Sequence, residues 1–86
     1  MGLEQTVSQR ISFLMNQIDS GNPPTVNDIF QLQIDVLRNV DRERVGMLIL
    51  QKRQELEHCN TIYESDRVFT ELEALEWLQR QTGRNK

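Results

Sequence analysis

Apolar residues recur along the first segment at steps of four, four, three and four: Leu3, Val7, Ile11, Leu14 and Ile18. On an α-helix that spacing gathers all five on one side, with Phe13 and Met15 widening the stripe and Glu4, Gln5, Gln9, Arg10 and Gln17 opposite. The pattern predicts a helix over residues 3–19. It should stop in Asp19-Ser20-Gly21-Asn22-Pro23-Pro24, where glycine tolerates a left-handed cap and paired prolines cannot continue the hydrogen-bond ladder.

Thr25-Val26-Asn27-Asp28 has the form of a helix start: the Thr25 hydroxyl can accept from an orphan amide, and Asp28 can return the bond. The residues that follow carry two signals. Phe30, Leu32, Ile34 and Val36 alternate with Gln31, Gln33 and Asp35, as in a half-buried strand. Against this stand the helical set Val26, Ile29, Phe30, Gln33, Leu37 and Val40 and the lack of a second strand to pair with, so a helix over 26–39 is predicted. Its apolar groups cover more than one side, Phe30 and Leu37 on one and Leu32 and Val36 on another, which calls for several neighbours.

Asn39-Val40-Asp41 reads as a brief break, with Asp41 as N-cap of a third helix over 42–60. Gly46 weakens the start of that helix by about 1 kcal/mol relative to alanine. Met47-Leu48-Ile49-Leu50 wraps a full turn in apolar side chains, and Leu56, Cys59, Ile62 and Tyr63 carry the seam onward. Capping chemistry in Thr61-Ile62-Tyr63-Glu64 predicts a restart, giving a fourth helix over 62–82 with Val68, Phe69, Leu72, Leu75 and Leu78 as its apolar line. Thr82-Gly83 should close it, with Arg84-Asn85-Lys86 as a basic tail at the negative end of the helix dipole. The expected fold is therefore all-α: three to four helices in one domain over residues 1–86, a helical hairpin or small bundle completed by oligomerisation.

Composition sharpens that last point. An 86-residue chain buries only roughly 60% of its unfolded surface, and chains of this size usually add disulfides, a metal or a partner. Cys59 is the single cysteine, so it has no intramolecular disulfide partner and there is no zinc-ligand spacing. A partner chain is the remaining support. The net charge of −3 argues against direct contact with a nucleic-acid backbone, and Arg42, Arg44, Lys52 and Arg53 are interleaved with Asp41, Glu43, Glu55 and Glu57 as on a solvated face. No apolar run reaches the ~18 residues of a membrane span, and no secretory signal is apparent, so a cytoplasmic setting is expected. Met1-Gly2-Leu3-Glu4-Gln5-Thr6 fits the loose N-myristoylation pattern, but no polybasic stretch follows; it reads as chance or a cloning remnant.

Candidate chemistry is sparse. His58 and Cys59 are adjacent, and adjacent residues on a helix point about 100° apart, so they do not face one another as base and nucleophile. Cys59 is expected as a buried residue on the apolar seam. Glu55 precedes His58 by three, as in carboxylate metal sites of helix bundles, but in a single copy; Glu55, Glu57, Glu64, Asp66, Glu71, Glu73 and Glu76 read as solvated surface. With no phosphate loop, nucleophile elbow or metal motif, no catalytic, cofactor or metal residue is assigned and the chain is not expected to be an enzyme.

The expected function is a non-enzymatic helical interaction module, a small adaptor, chaperone or assembly factor. Its partner would be another protein or a second copy of itself, met through Phe30, Leu32, Val36, Met47, Leu50 and Trp77. Pro23-Pro24-Thr25-Val26-Asn27-Asp28-Ile29-Phe30-Gln31-Leu32-Gln33 looks like the helix-opening stretch of type III secretion inner-rod proteins, while the C-terminal segment departs from that pattern. That likeness implies an alternative, a structural subunit of a phage or secretion assembly. A third reading is an acidic regulator that inhibits a transcription or nucleic-acid-binding factor.

Overall fold

Four α-helices and one short 3-10 turn follow one another, with no strand among the described residues. In the computed structural model these are α1 (Leu3–Gln17), α2 (Pro24–Asn39), a 3-10 turn (Arg42–Arg44), α3 (Val45–Glu57) and α4 (Ile62–Arg84). The structure describes residues 2–84; residues 1, 85 and 86 and the side chain of residue 84 lie outside it, and with them Met1 of the lipidation-like start and most of the expected basic tail. The all-α small bundle is the fold.

The connections depart from expectation in instructive ways. No residue, glycine included, has a positive φ among those described, so α1 does not end on a left-handed glycine. It stops at Gln17, two residues early, because Ile18 turns to extended backbone (φ −72°, ψ 123°) while its N–H still reaches Met15 O at 3.2 Å. The loop is then closed by a side chain. Asn27 Nδ2 donates to Asp19 O at 2.8 Å, its Oδ1 accepts from Asp19 N at 3.3 Å, and Asn22 Nδ2 donates to both Asn27 Oδ1 and Gln17 O.

The expected Thr25–Asp28 capping box does not form. α2 begins earlier, at Pro24, with Pro23 at the N-cap position and no side-chain cap. A proline at the first helical position surrenders an N–H that would be orphaned there anyway, and its φ is already helical. Asp41 does cap, accepting from Glu43 N at 3.0 Å, but it caps the 3-10 turn rather than an α-helix. The third helix therefore spans Val45–Glu57 instead of 42–60, and residues 58–61 are a true interruption.

α4 restarts where the capping chemistry predicted. Thr61 Oγ1 accepts from Glu64 N at 3.1 Å and Glu64 Oε2 accepts from Asn60 N at 3.3 Å. The helix then runs through Thr82–Gly83 to Arg84, with the Thr82 hydroxyl donating to Leu78 O at 3.0 Å. Gly83 without a left-handed turn cannot close a helix in the expected way, so the ladder continues.

The core is built from Val7 and Leu14 of α1, Ile34 and Leu37 of α2, Val45 and Ile49 of α3, and Leu72, Ala74, Leu75 and Leu78 of α4. Ile34 was absent from the expected helical stripe of α2, yet it is among the most deeply buried residues of the chain. It lies four after Phe30 and three before Leu37, so the buried side runs through 30, 34 and 37 rather than through Ile29, which is exposed. α4 is the hub: α2 and α3 pack on it and α1 touches it as well as α2, while among the described residues α3 has no neighbouring element other than α4 and the 3-10 turn. Side-by-side helices make a slab of 38 × 34 × 17 Å.

Polar ties hold the slab's margins. Arg42 donates from Nε and Nη2 to both carboxylate oxygens of Glu4 at 2.9 and 3.1 Å, tying the 3-10 turn to α1. The Arg42 hydrogen bond holds the Glu4 carboxyl below its usual range. Between α3 and α4, Lys52 lies 3.2 Å from Glu55 and 3.3 Å from Glu71, and Arg53 pairs with Glu76 at 3.1 Å. Burial pulls the Lys52 pKa down, but the hydrogen bonds and charges of the two glutamates outweigh it and leave it raised. No helix of the described residues is long and apolar enough to cross a membrane.

Candidate functional site

A wedge between α2 and the N-terminal half of α4 is about 380 Å³ in volume and open on one side; a shallower hollow of about 570 Å³ lies between α3 and α4 and shares Tyr63 and Arg67 with it. The α2 wall of the wedge is a second stripe behind the core-facing one: Thr25, Asp28, Ile29, Leu32 and Asp35 fall at steps of three, one, three and three. Its α4 wall is Tyr63, Asp66, Arg67 and Thr70, at steps of three, one and three. Both spacings mark one face of a helix, and the packing of α2 on α4 brings the two faces to one groove.

The groove is lined by apolar and acidic side chains together. Ile29 is 44% exposed, Tyr63 76% exposed, and Leu32 is half-buried. Thr70 is the one buried polar residue among those described, and its hydroxyl donates to Asp66 O at 2.8 Å. Asp28, Asp35 and Asp66 stand around the groove against the single guanidinium of Arg67. Gln31 Nε2 donates to Asp35 Oδ1 at 3.0 Å, and among the described residues none of the three aspartates takes part in an ion pair.

Of the six residues expected at a partner surface, only Leu32 lines this groove. Phe30, Val36 and Trp77 are half-buried and pack against the core. Met47 and Leu50 are exposed on α3, at 50% and 60%, away from the groove. The six do not form one patch. Trp77 is in addition occupied by its own chain: the Arg10 guanidinium carbon lies 5.6 Å from its ring centre and 5.2 Å from that of Phe13, a cation held by two aromatic faces.

Ile29, Tyr63 and the three aspartates were not expected at a partner surface from the sequence. The signal for the α2 half was present, in the acid-apolar stripe Asp28-Ile29-Leu32-Asp35. The signal for Tyr63 was misleading, because it was placed on a continuous seam with Leu56 and Cys59 that the break at 58–61 destroys.

That break also settles the His58–Cys59 pair. Neither residue is helical; the His58 N–H caps α3 through Glu55 O at 3.0 Å, and the half-buried Cys59 donates its S–H to Glu55 O at 3.1 Å. Cys59 is thus not the buried core residue expected, since it sits on the connection rather than on the helix face that meets α4. The neighbouring carboxylates are already engaged, Glu55 and Glu71 by Lys52 and Glu64 by the cap of α4. Among the described residues no group of three or more His, Cys, Asp or Glu side chains is placed to hold a metal ion.

Comparison with known protein families, with characterised proteins and with solved structures finds no match to this chain.

Proposed function

We propose that this protein is a non-enzymatic helical interaction module that works by binding another protein chain, as an adaptor, chaperone or assembly factor in the cytoplasm. The observation that carries this reading is surplus surface. A compact 86-residue domain has a radius of gyration of about 12 Å, whereas the slab has 13.5 Å. A folded monomer of its mass exposes about 5,300 Å², whereas this chain exposes 6038 Å². The excess is rich in large apolar side chains: Phe13, Met15, Ile29, Met47, Leu50, Ile62, Tyr63 and Phe69 are all 44% exposed or more. Of these, Ile29 and Tyr63 meet in the α2–α4 groove, and apolar side chains gathered in a groove support contact with another chain.

Sedimentation equilibrium from nanomolar to high micromolar concentration tests the reading, run alone and with proteins that co-purify from the native host. The expected result is a species heavier than 10.1 kDa, formed with a second copy or with a defined partner. A stable, well-folded 10.1 kDa monomer throughout, with no stoichiometric companion, would overturn it.

A second reading, an acidic regulator of a basic nucleic-acid-binding factor, is favoured by the three aspartates around the α2–α4 groove. It differs in the partner's charge, not in the mode of action.

A further inference from the structure

We infer that the α2–α4 groove receives a cationic amphipathic helix from a different protein. This inference rests on the interaction-module reading and names the partner's chemistry. Two helical walls with no strand edge among the described residues offer no backbone for an added strand. They suit a third helix whose anchors recur at i, i+3 or i+4, and i+7. Ile29, Leu32 and Tyr63 are the apolar lining for those anchors, and they come from both walls, so a helix seated there touches α2 and α4 together.

The charge of the groove selects the partner's sign. Three carboxylates line the groove beside one guanidinium, and among the described residues none of the three is in an ion pair, while Arg42, Lys52 and Arg53 are paired with Glu4, Glu55, Glu71 and Glu76. A lysine- or arginine-flanked helix brings the missing counter-charges within the ~8 Å over which they act at physiological salt. A second copy of this chain is a poor occupant, because it carries the same net charge of −3. Complementary potentials of this kind set specificity and encounter rate more than affinity.

The test uses the full chain and two synthetic helical peptides. Both carry leucines at i, i+3 or i+4, and i+7; one is flanked by lysines and the other by glutamates. Binding is measured by calorimetry at about 0.15 M salt and mapped by backbone amide shifts. The lysine peptide should bind at least about tenfold tighter than the glutamate peptide, with shifts centred on Ile29, Leu32 and Tyr63. The combined substitution Asp28→Lys, Asp35→Lys and Asp66→Lys should reverse that preference. Tyr63→Ser, at a side chain too exposed to hold the fold, should weaken the lysine peptide several-fold while leaving the melting temperature unchanged. Equal binding of the two peptides, a preference that charge reversal leaves in place, or shifts centred on Met47 and Leu50 of α3 would each overturn the inference. Failure here alongside a heavier species in sedimentation leaves the interaction module standing with another occupant or another face. Failure alongside a strict monomer removes both.

Discussion

The Asn27 carboxamide grips the backbone of Asp19 from both sides, donating to its carbonyl at 2.8 Å and accepting from its N–H at 3.3 Å. Eight residues separate the two in sequence, and this pairing, not a left-handed glycine turn, closes the loop between α1 and α2. Asn27→Ala removes both bonds and the one from Asn22. At about 1 kcal/mol or less per partly solvated bond, the expected loss is about 1–2 kcal/mol in urea unfolding. A variant as stable as the parent would show that the clamp follows the fold rather than holding it.

Thr61 should matter more than its exposure suggests. Its hydroxyl accepts from Glu64 N and so satisfies one orphan donor of α4, the helix on which the others pack. Thr61→Ala is expected to cost about 1 kcal/mol, and Thr61→Asp to restore most of it, in thermal or chemical denaturation.

Gly46 lies within the first turn of α3, has no positive φ, and an added Cβ would meet only Gln79 Nε2 at 3.9 Å, an ordinary contact. Gly46→Ala should therefore stabilise the protein by about 0.5–1 kcal/mol through the lost freedom of the unfolded chain. A fall in unfolding midpoint would count against the open environment described for this site.

Lys52 links α3 to α4 through Glu71, and its pKa is raised in the folded state. A raised folded pKa means that the ammonium stabilises the fold fully below the ordinary lysine value of 10.5 and loses that effect as pH climbs through the higher folded value. Unfolding free energy should thus fall above about pH 10.5 more steeply in the parent than in Lys52→Met, and the two curves should converge at the alkaline end. Parallel curves across that window would deny the link.

Trp77 is the single tryptophan, so its fluorescence reports on Arg10 directly. Arg10→Ala uncovers one face of the indole and should shift its emission to the red. A stability loss of about 0.5–1 kcal/mol accompanies the removal of an exposed cation–π pair. An unmoved spectrum would place the guanidinium away from the ring in solution.

Which parts of the fold and the groove could be read in advance follows the range of the forces involved. Thr61–Glu64 was legible because a capping bond spans three residues and depends on nothing distant. The helical character of residues 26–39 was legible too, since the lack of any pairing strand outweighed the alternation around Ile34. The identity of the buried side was not. Ile34 and Leu32 are equally apolar, two residues apart, and only the placement of α4 and α1 decides that one is sealed and the other lines a groove.

The sequence by itself determined that the chain makes helices, roughly where they break, and that no disulfide of its own staples them, because periodicity, proline, capping side chains and cysteine count act locally or by simple number. Only the tertiary structure decided that α4 is the one helix α3 packs on among the described residues, that Cys59 sits on a connection, and that the acidic stripe of α2 converges with the Tyr63–Thr70 face of α4, far off in sequence. Those outcomes depend on crossing geometry between helices, where several sides of each helix compete for the same neighbours and a step of one residue turns a side chain by about 100°.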